Sequence, residues 1–185
     1  MAVPTDVGPL VPRHHGEWTV EDVLGLPEDS SSRIELVDGA LLVTPAPASG
    51  HQRLLQRLQL RLHPAIPAGA ELLPGVNVRL GGRRMLIPDF VVLGSAGAET
   101  VYYDGADLLL AGEIESPSTR IQDRVLKRAL YAEAGVPYYL LVDPAQVPEA
   151  VLYHLSGGEY TELARSADGR LELSVPFAVD LDLTS

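Results

Sequence analysis

A chain of 185 residues with 46% apolar content can bury one hydrophobic core, and with no cysteine it excludes disulfides, thiolate nucleophiles and cysteine-held zinc or iron–sulfur centres. Twenty-five acidic against fourteen basic residues leave a net charge of −11, which argues against a sequence-independent grip on nucleic acid through neutralised phosphates. Any metal must be held by oxygen or imidazole, and a hard cation is the natural candidate.

No apolar run is long enough for a membrane span, and the N-terminus lacks a charged segment followed by an apolar run. A cytoplasmic protein with no membrane partner is expected. Residues 1–17 carry proline and glycine without periodicity and read as a flexible arm, leaving 18–185 as a single domain. Thr19 caps a short helix through about Leu26. Arg33 to Val37, Asp38-Gly39 and Ala40 to Thr44 form a hairpin signal, because Asp-Gly supplies the positive φ angles of a tight turn. Pro45 and Pro47 end it. Ser49 is placed to cap a helix in which Leu54, Leu55, Leu58 and Leu62 form an apolar stripe through about His63.

Strands are expected near 71–80, 84–93 and 107–115, the last two as almost continuous apolar runs suited to central positions in a sheet. A helix over 119–134 follows, closed by Gly135, and then a buried strand at 138–142. Strands near 150–155, 159–165 and 170–174 complete the chain, joined by Gly157-Gly158 and Asp168-Gly169. The fold class is α/β (α+β): an αβββαβ core on one mixed central sheet, with an N-terminal hairpin and a C-terminal β meander.

Lys127 is the only lysine; the other thirteen basic side chains are arginine. A compact ammonium does not do the work of a planar guanidinium, so this position is a candidate for chemistry that needs an amine. On a helical wheel Ile121, Val125, Leu126, Ala129, Leu130 and Ala132 fill one half, with Asp123 and Lys127 just past its edge and their charged ends expected at the rim. The plain alternative is an i,i+4 surface ion pair. Arg53, Arg57 and Arg61, and the cluster Arg79, Arg83 and Arg84, read as a solvated helix face and a loop, with a phosphate-contacting groove as the rival.

Asp89 follows Pro88 within a strand, and Glu113 and Glu115 end the next one, pointing to one face by the period of two. Carboxylates gathered from adjacent strands repel unless a cation lies between them, and Mg²⁺ characteristically uses one or two of them. Asp89 could instead only begin a strand, and Glu115 could be an exposed strand-end charge. Ser116, Ser118 and Thr119 read as helix caps. His51 reads either as a contact to substrate or nearby water, or as a helix-start histidine with a local hydrogen bond.

The ordered set Ile34-Glu35-Leu36-Val37-Asp38-Gly39, Pro45 to Pro47 with His51, Pro88-Asp89-Phe90-Val91-Val92, Glu113-Ile114-Glu115-Ser116-Pro117-Ser118-Thr119, Asp123 and Lys127 with Tyr131, and Gly135-Val136-Pro137-Tyr138-Tyr139 with Val142-Asp143 resembles the Uma-two-type family of endonuclease-like proteins, within the PD-(D/E)XK restriction-endonuclease-like superfamily. The resemblance spans about residues 19–155. It implies that Asp89 and Glu113 bind Mg²⁺ or Mn²⁺, and that Lys127 replaces the lysine the superfamily usually has where this chain carries Glu115. Glu115 becomes a third metal ligand or a tuned position, and Glu35 completes the acidic cluster. The implied function is metal-dependent phosphodiester hydrolysis, with nucleic acid, DNA first, as partner and a homodimer as a further association. The alternative is a binding or structural protein that keeps the fold without cleaving.

Overall fold

The structure, a computed structural model, describes residues 11–27, 32–117 and 119–184. Most of the expected arm, residues 1–10, lies outside the described residues, as does the expected cap Ser118. Helix α1 (Val20–Leu24) begins at Thr19, whose hydroxyl accepts from the Asp22 backbone while Asp22 reaches back to Thr19, a reciprocal cap. Strands β1 (Ser32–Val37) and β2 (Ala40–Pro45) pair antiparallel through Asp38 (φ 49°) and Gly39 (φ 84°), as the Asp-Gly signal requires. Helix α2 (Ser49–Leu62) buries Leu54, Leu55, Leu58 and Leu62, but its cap is Ala48 and Ser49 is its first residue.

The three long strands expected next are each shorter, and the first two are broken. Glu71–Pro74 (β3) is separated from Val78–Arg79 (β4) by Gly75 at φ 58°, and Met85–Leu86 (β5) from Phe90–Leu93 (β6) by Pro88, which cannot donate to a ladder. Each break hands the chain from one sheet to another. With β7 (Tyr103–Asp104), a five-stranded sheet runs β2-β1-β5-β4-β7. A six-stranded sheet runs β11-β10-β9-β8-β6-β3, using β8 (Leu108–Ile114), β9 (Tyr138–Asp143), β10 (Glu149–Ser156) and β11 (Glu159–Arg165). In it only β8 and β9 are parallel, so the sheet is mixed. A last pair, β12 (Arg170–Leu173) and β13 (Val179–Asp182), closes the chain.

Alternation along the central strands builds two cores. Phe90, Val92, Leu110, Ile114, Leu140 and Val142 pack under α2 and the β12–β13 pair, whereas Val91, Leu93, Ala111, Tyr139 and Leu141 pack under Leu130 and Tyr131 of helix α3 (Arg128–Glu133). The six-stranded sheet is thus covered on both faces, which explains its apolar runs. Among the described residues no helix is long and apolar enough to cross a membrane.

One position tests this packing. A Cβ on Gly112 would fall 2.2 Å from Cζ of Phe90, a ring with no exposed surface. Gly112→Ala is expected to lower unfolding free energy by about 1–3 kcal/mol through overpacking, read by urea denaturation, and an unchanged midpoint would contradict the β6–β8 register.

Candidate active site

Register brings the acids together. Phe90 lies opposite Gly112, so Asp89 at the start of β6 stands beside the end of β8, where its Oδ2 accepts the Ile114 backbone N–H at 2.8 Å. Glu113, on the β8 face under the helix of Lys127 and Tyr131, accepts from Lys127 Nζ at 3.0 Å and Tyr131 Oη at 3.1 Å, both on its Oε1. The hairpin contributes Glu35, whose Oε1 accepts the Ile87 backbone N–H at 2.8 Å and lies 3.0 Å from Lys127 Nζ. Asp123 Oδ1 is 3.7 Å from the same ammonium. Glu35, Asp89, Glu113, Asp123 and Lys127 are all at most 5% exposed. They line a cleft of about 660 Å³ whose walls include Pro45, Pro47, Pro144 and Pro148.

The helix that carries Lys127 is rotated from the expected wheel, although Leu126 and Leu130 still pack on the core. Asp123 and Lys127 are buried with Leu130 and Tyr131, an i, i+4, i+7, i+8 stripe, while Ile121 is 79% and Val125 62% exposed. The physical reason is that Gln122–Lys127 form π-helical turns before the regular helix α3 (Arg128–Glu133) begins. Wider turns rotate less per residue than the 100° on which the wheel rests, which changes the phase on entry to α3. Ser116 starts this segment: its hydroxyl accepts the Thr119 N–H at 3.2 Å, and Thr119 Oγ1 accepts the Ser116 N–H at 3.2 Å.

Burial and crowding set the protonation states. Burial pushes the Glu113 carboxyl well above its ordinary range, and Asp89, Asp123 and Glu35 add to the rise against the pull of Lys127. Burial likewise raises Asp123, to about 6. For Lys127 burial opposes the charge, but Glu113, Glu35 and Asp123 outweigh it and hold the amine protonated above its usual range. Burial also pushes Asp89 upward, yet His51 at 2.9 Å and Arg33 at 2.7 Å outweigh that and leave it below the usual carboxylate value.

Glu115 lies in the same wall and is fully buried, but its oxygens are engaged by Arg124, which forms a two-pronged pair, and by Arg120 at 3.1 Å. Both arginines also reach Asp143. The site therefore gathers Asp89, Glu113, Lys127 and Glu35, while Glu115 is committed to the arginines of the helix. Asp123 was legible only as a partner of Lys127. Arg33 was missed, although its place two residues before Glu35 on one strand puts both side chains on one face. Arg79, Arg83 and Arg84 are paired with Asp104, Glu17, and Asp38 with Glu133, and so form no open phosphate groove.

The donor set suits a hard divalent cation. Four buried acidic side chains face one ammonium, one guanidinium and His51, and Asp123 Oδ1 is buried without a hydrogen-bond partner among the described residues. Among the described residues, no three His, Asp or Glu side chains already stand as a ready-made ligand group.

A raised carboxyl pKa has a signed consequence. Asp123 deprotonates near 3.8 when unfolded and near 6 when folded, so the stability it permits below pH 4 is lost as pH rises through 6, by up to about 3 kcal/mol. Asp123→Asn is accordingly expected to stabilise the fold by about 1–3 kcal/mol at pH 8 and by nothing at pH 4, as measured by urea denaturation without divalent cations. An equal effect at both pH values would refute the buried charge.

Residues 20–184 match the Uma2 family, described as "Putative restriction endonuclease". No curated protein matches the chain. Among solved structures, the crystal structure of "a putative nuclease belonging to DUF820" from Anabaena variabilis ATCC 29413 is similar in fold, with a TM-score of 0.60 and 18% identity over 79% of this chain and 84% of that one. At that identity the likeness speaks for the fold alone, a restriction-endonuclease-like α/β core. With nearly all of its length matched, the chain belongs to the Uma2 family.

Proposed function

We propose that this protein is a divalent-cation-dependent endonuclease that hydrolyses phosphodiester bonds, in DNA first, with residues 18–185 acting as one catalytic domain in the cytoplasm. The observation that carries the reading is a lone lysine buried among Glu35, Glu113 and Asp123, beside Asp89, at the floor of an open cleft. Burying three acidic side chains around one amine, with Asp89 held nearby by Arg33 and His51, is costly for a fold, and a bound cation would offset that cost.

Asp89 and Glu113 would hold Mg²⁺ or Mn²⁺, with Asp123 Oδ1 within the same group; the ion, when bound, supplies charge neutralisation at the phosphate and acidifies water. The chain's own residues do the rest. Lys127 stays an ammonium because three carboxylates hold it so, and therefore acts as a donor that orients the attacking water and offsets charge on the phosphate, not as the base. Glu35 fixes that ammonium from the hairpin side. Tyr131 donates to Glu113 and orients it, and His51 donates through Nε2 to Asp89 Oδ2. Glu115 ties Arg120 and Arg124 to the strand end, which anchors the helix that presents Asp123 and Lys127. A second copy of the chain as partner accords with the exposed Ile121 and Val125 on that helix.

Calorimetric titration of Mn²⁺ and Mg²⁺ into wild type, Asp89→Asn and Glu113→Gln tests the site. Binding in the wild type, weakened at least about tenfold in both variants, is expected. Lys127→Met is expected to keep cation binding and to reduce cleavage of plasmid DNA by about 10²–10³-fold. A wild type that neither binds Mn²⁺ nor cleaves would leave a non-catalytic protein on this fold as the correct reading.

A further inference from the structure

The two oxygens of Asp89 are held differently. Oδ2 is fixed by the Ile114 backbone N–H at 2.8 Å and by His51 Nε2 at 2.9 Å, partners that belong to the sheet and to a histidine only 10% exposed. Among the described residues Oδ1 has one hydrogen-bond partner, Nη1 of Arg33 at 2.7 Å. That contact is single-pronged. The arginines that hold the fold together pair through two nitrogens each: Arg79 with Asp104, Arg84 with Asp38, Arg124 with Glu115 and Arg165 with Glu162. Among the described residues Arg33 uses one of its five N–H groups on Asp89, and its side chain, 22% exposed, lines the cleft.

We infer that Arg33 is an exchangeable counter-ion that becomes a phosphate-binding residue: guanidinium and divalent cation compete for Asp89 Oδ1, and the displaced guanidinium grips a nucleic-acid phosphate in the cleft. The inference rests on the reading of Asp89 as a cation ligand. Two cations cannot share one buried carboxylate oxygen without strong repulsion, so occupancy of one disfavours the other. A guanidinium set free beside that oxygen has the planar fork that matches a phosphate, and it lies where the scissile group must come. The other cleft cations differ in the respect that matters here. Lys127 is enclosed by three acidic side chains, and Arg57, whose contacts among the described residues are to the carbonyls of Arg53 and Thr184 at 3.4 Å, holds no carboxylate that a metal would claim.

The test compares wild type, Arg33→Gln and Arg57→Gln in two binding assays, with thermal unfolding to confirm that each variant is folded. Calorimetry with Mn²⁺ should show affinity rising about three- to tenfold in Arg33→Gln and unchanged in Arg57→Gln. Binding of a fluorescein-labelled DNA duplex in Ca²⁺, which suppresses turnover, should fall about tenfold in Arg33→Gln. Gains for the ion and losses for the DNA in one variant are not what loss of a structural ion pair would do. Unchanged or weaker Mn²⁺ binding in Arg33→Gln overturns the inference, as does duplex binding that is absent in the wild type or undiminished in the variant. A wild type that binds no Mn²⁺ fails the underlying metal reading instead.

Discussion

The ammonium of Lys127, buried 3.0 Å from both Glu35 and Glu113 and 3.7 Å from Asp123, is the interaction around which the rest of the molecule is arranged. It joins the hairpin strand β1 to two elements far along the chain, the central strand β8 and the helix that follows it. Removing the lysine itself would leave Glu35 and Glu113 buried without their ammonium, a kind of loss that typically costs about 3–5 kcal/mol. The charges do not balance, because one ammonium faces three acidic side chains, while Asp89 is neutralised by Arg33 and His51. A fold selected for stability alone would bury apolar side chains at these positions. The excess of negative charge makes sense as a place for a cation and for a phosphate that follows it.

Presenting that lysine depends on how the helix is held. Its first turns are wide and carry exposed Ile121 and Val125, so apolar burial contributes little to fixing them. Arg120 and Arg124 supply the fixing instead, through the fully buried Glu115 and through Asp143 at the end of β9. Glu115 occupies the position at which the resemblance leads one to expect lysine. In this structure the strand end offers an anchor for Arg120 and Arg124, and the helix offers the ammonium.

Much of this was legible before any coordinates. The Asp-Gly hairpin, the leucine stripe of α2, the mixed sheet and the meeting of Asp89 with Glu113 follow from turn chemistry and from the period of two along strands, rules that local sequence obeys. The orientation of Asp123 and Lys127 did not follow, because a wheel drawn at 100° per residue assumes an α-helix and the chain departs from one over Gln122–Lys127. The division of the expected long strands between two sheets was hidden for a related reason. Gly75 and Pro88 are visible in the sequence, but whether a break ends a strand or passes it to a second sheet is decided by long-range pairing. Strand β13 went unread because Val179–Asp182 is short and finds its stability only against β12. Arg33 was overlooked as part of a hairpin, although its shared face with Glu35 was open to inspection.

The account is tested most directly by locating the cation. Crystals soaked in Mn²⁺ and measured near the manganese absorption edge should give an anomalous peak between the Asp89 and Glu113 carboxylates, adjacent to Lys127, with the Arg33 guanidinium moved off Asp89. A peak only elsewhere on the molecule, or none at saturating Mn²⁺, would contradict the claim that these buried acids are assembled to hold a metal.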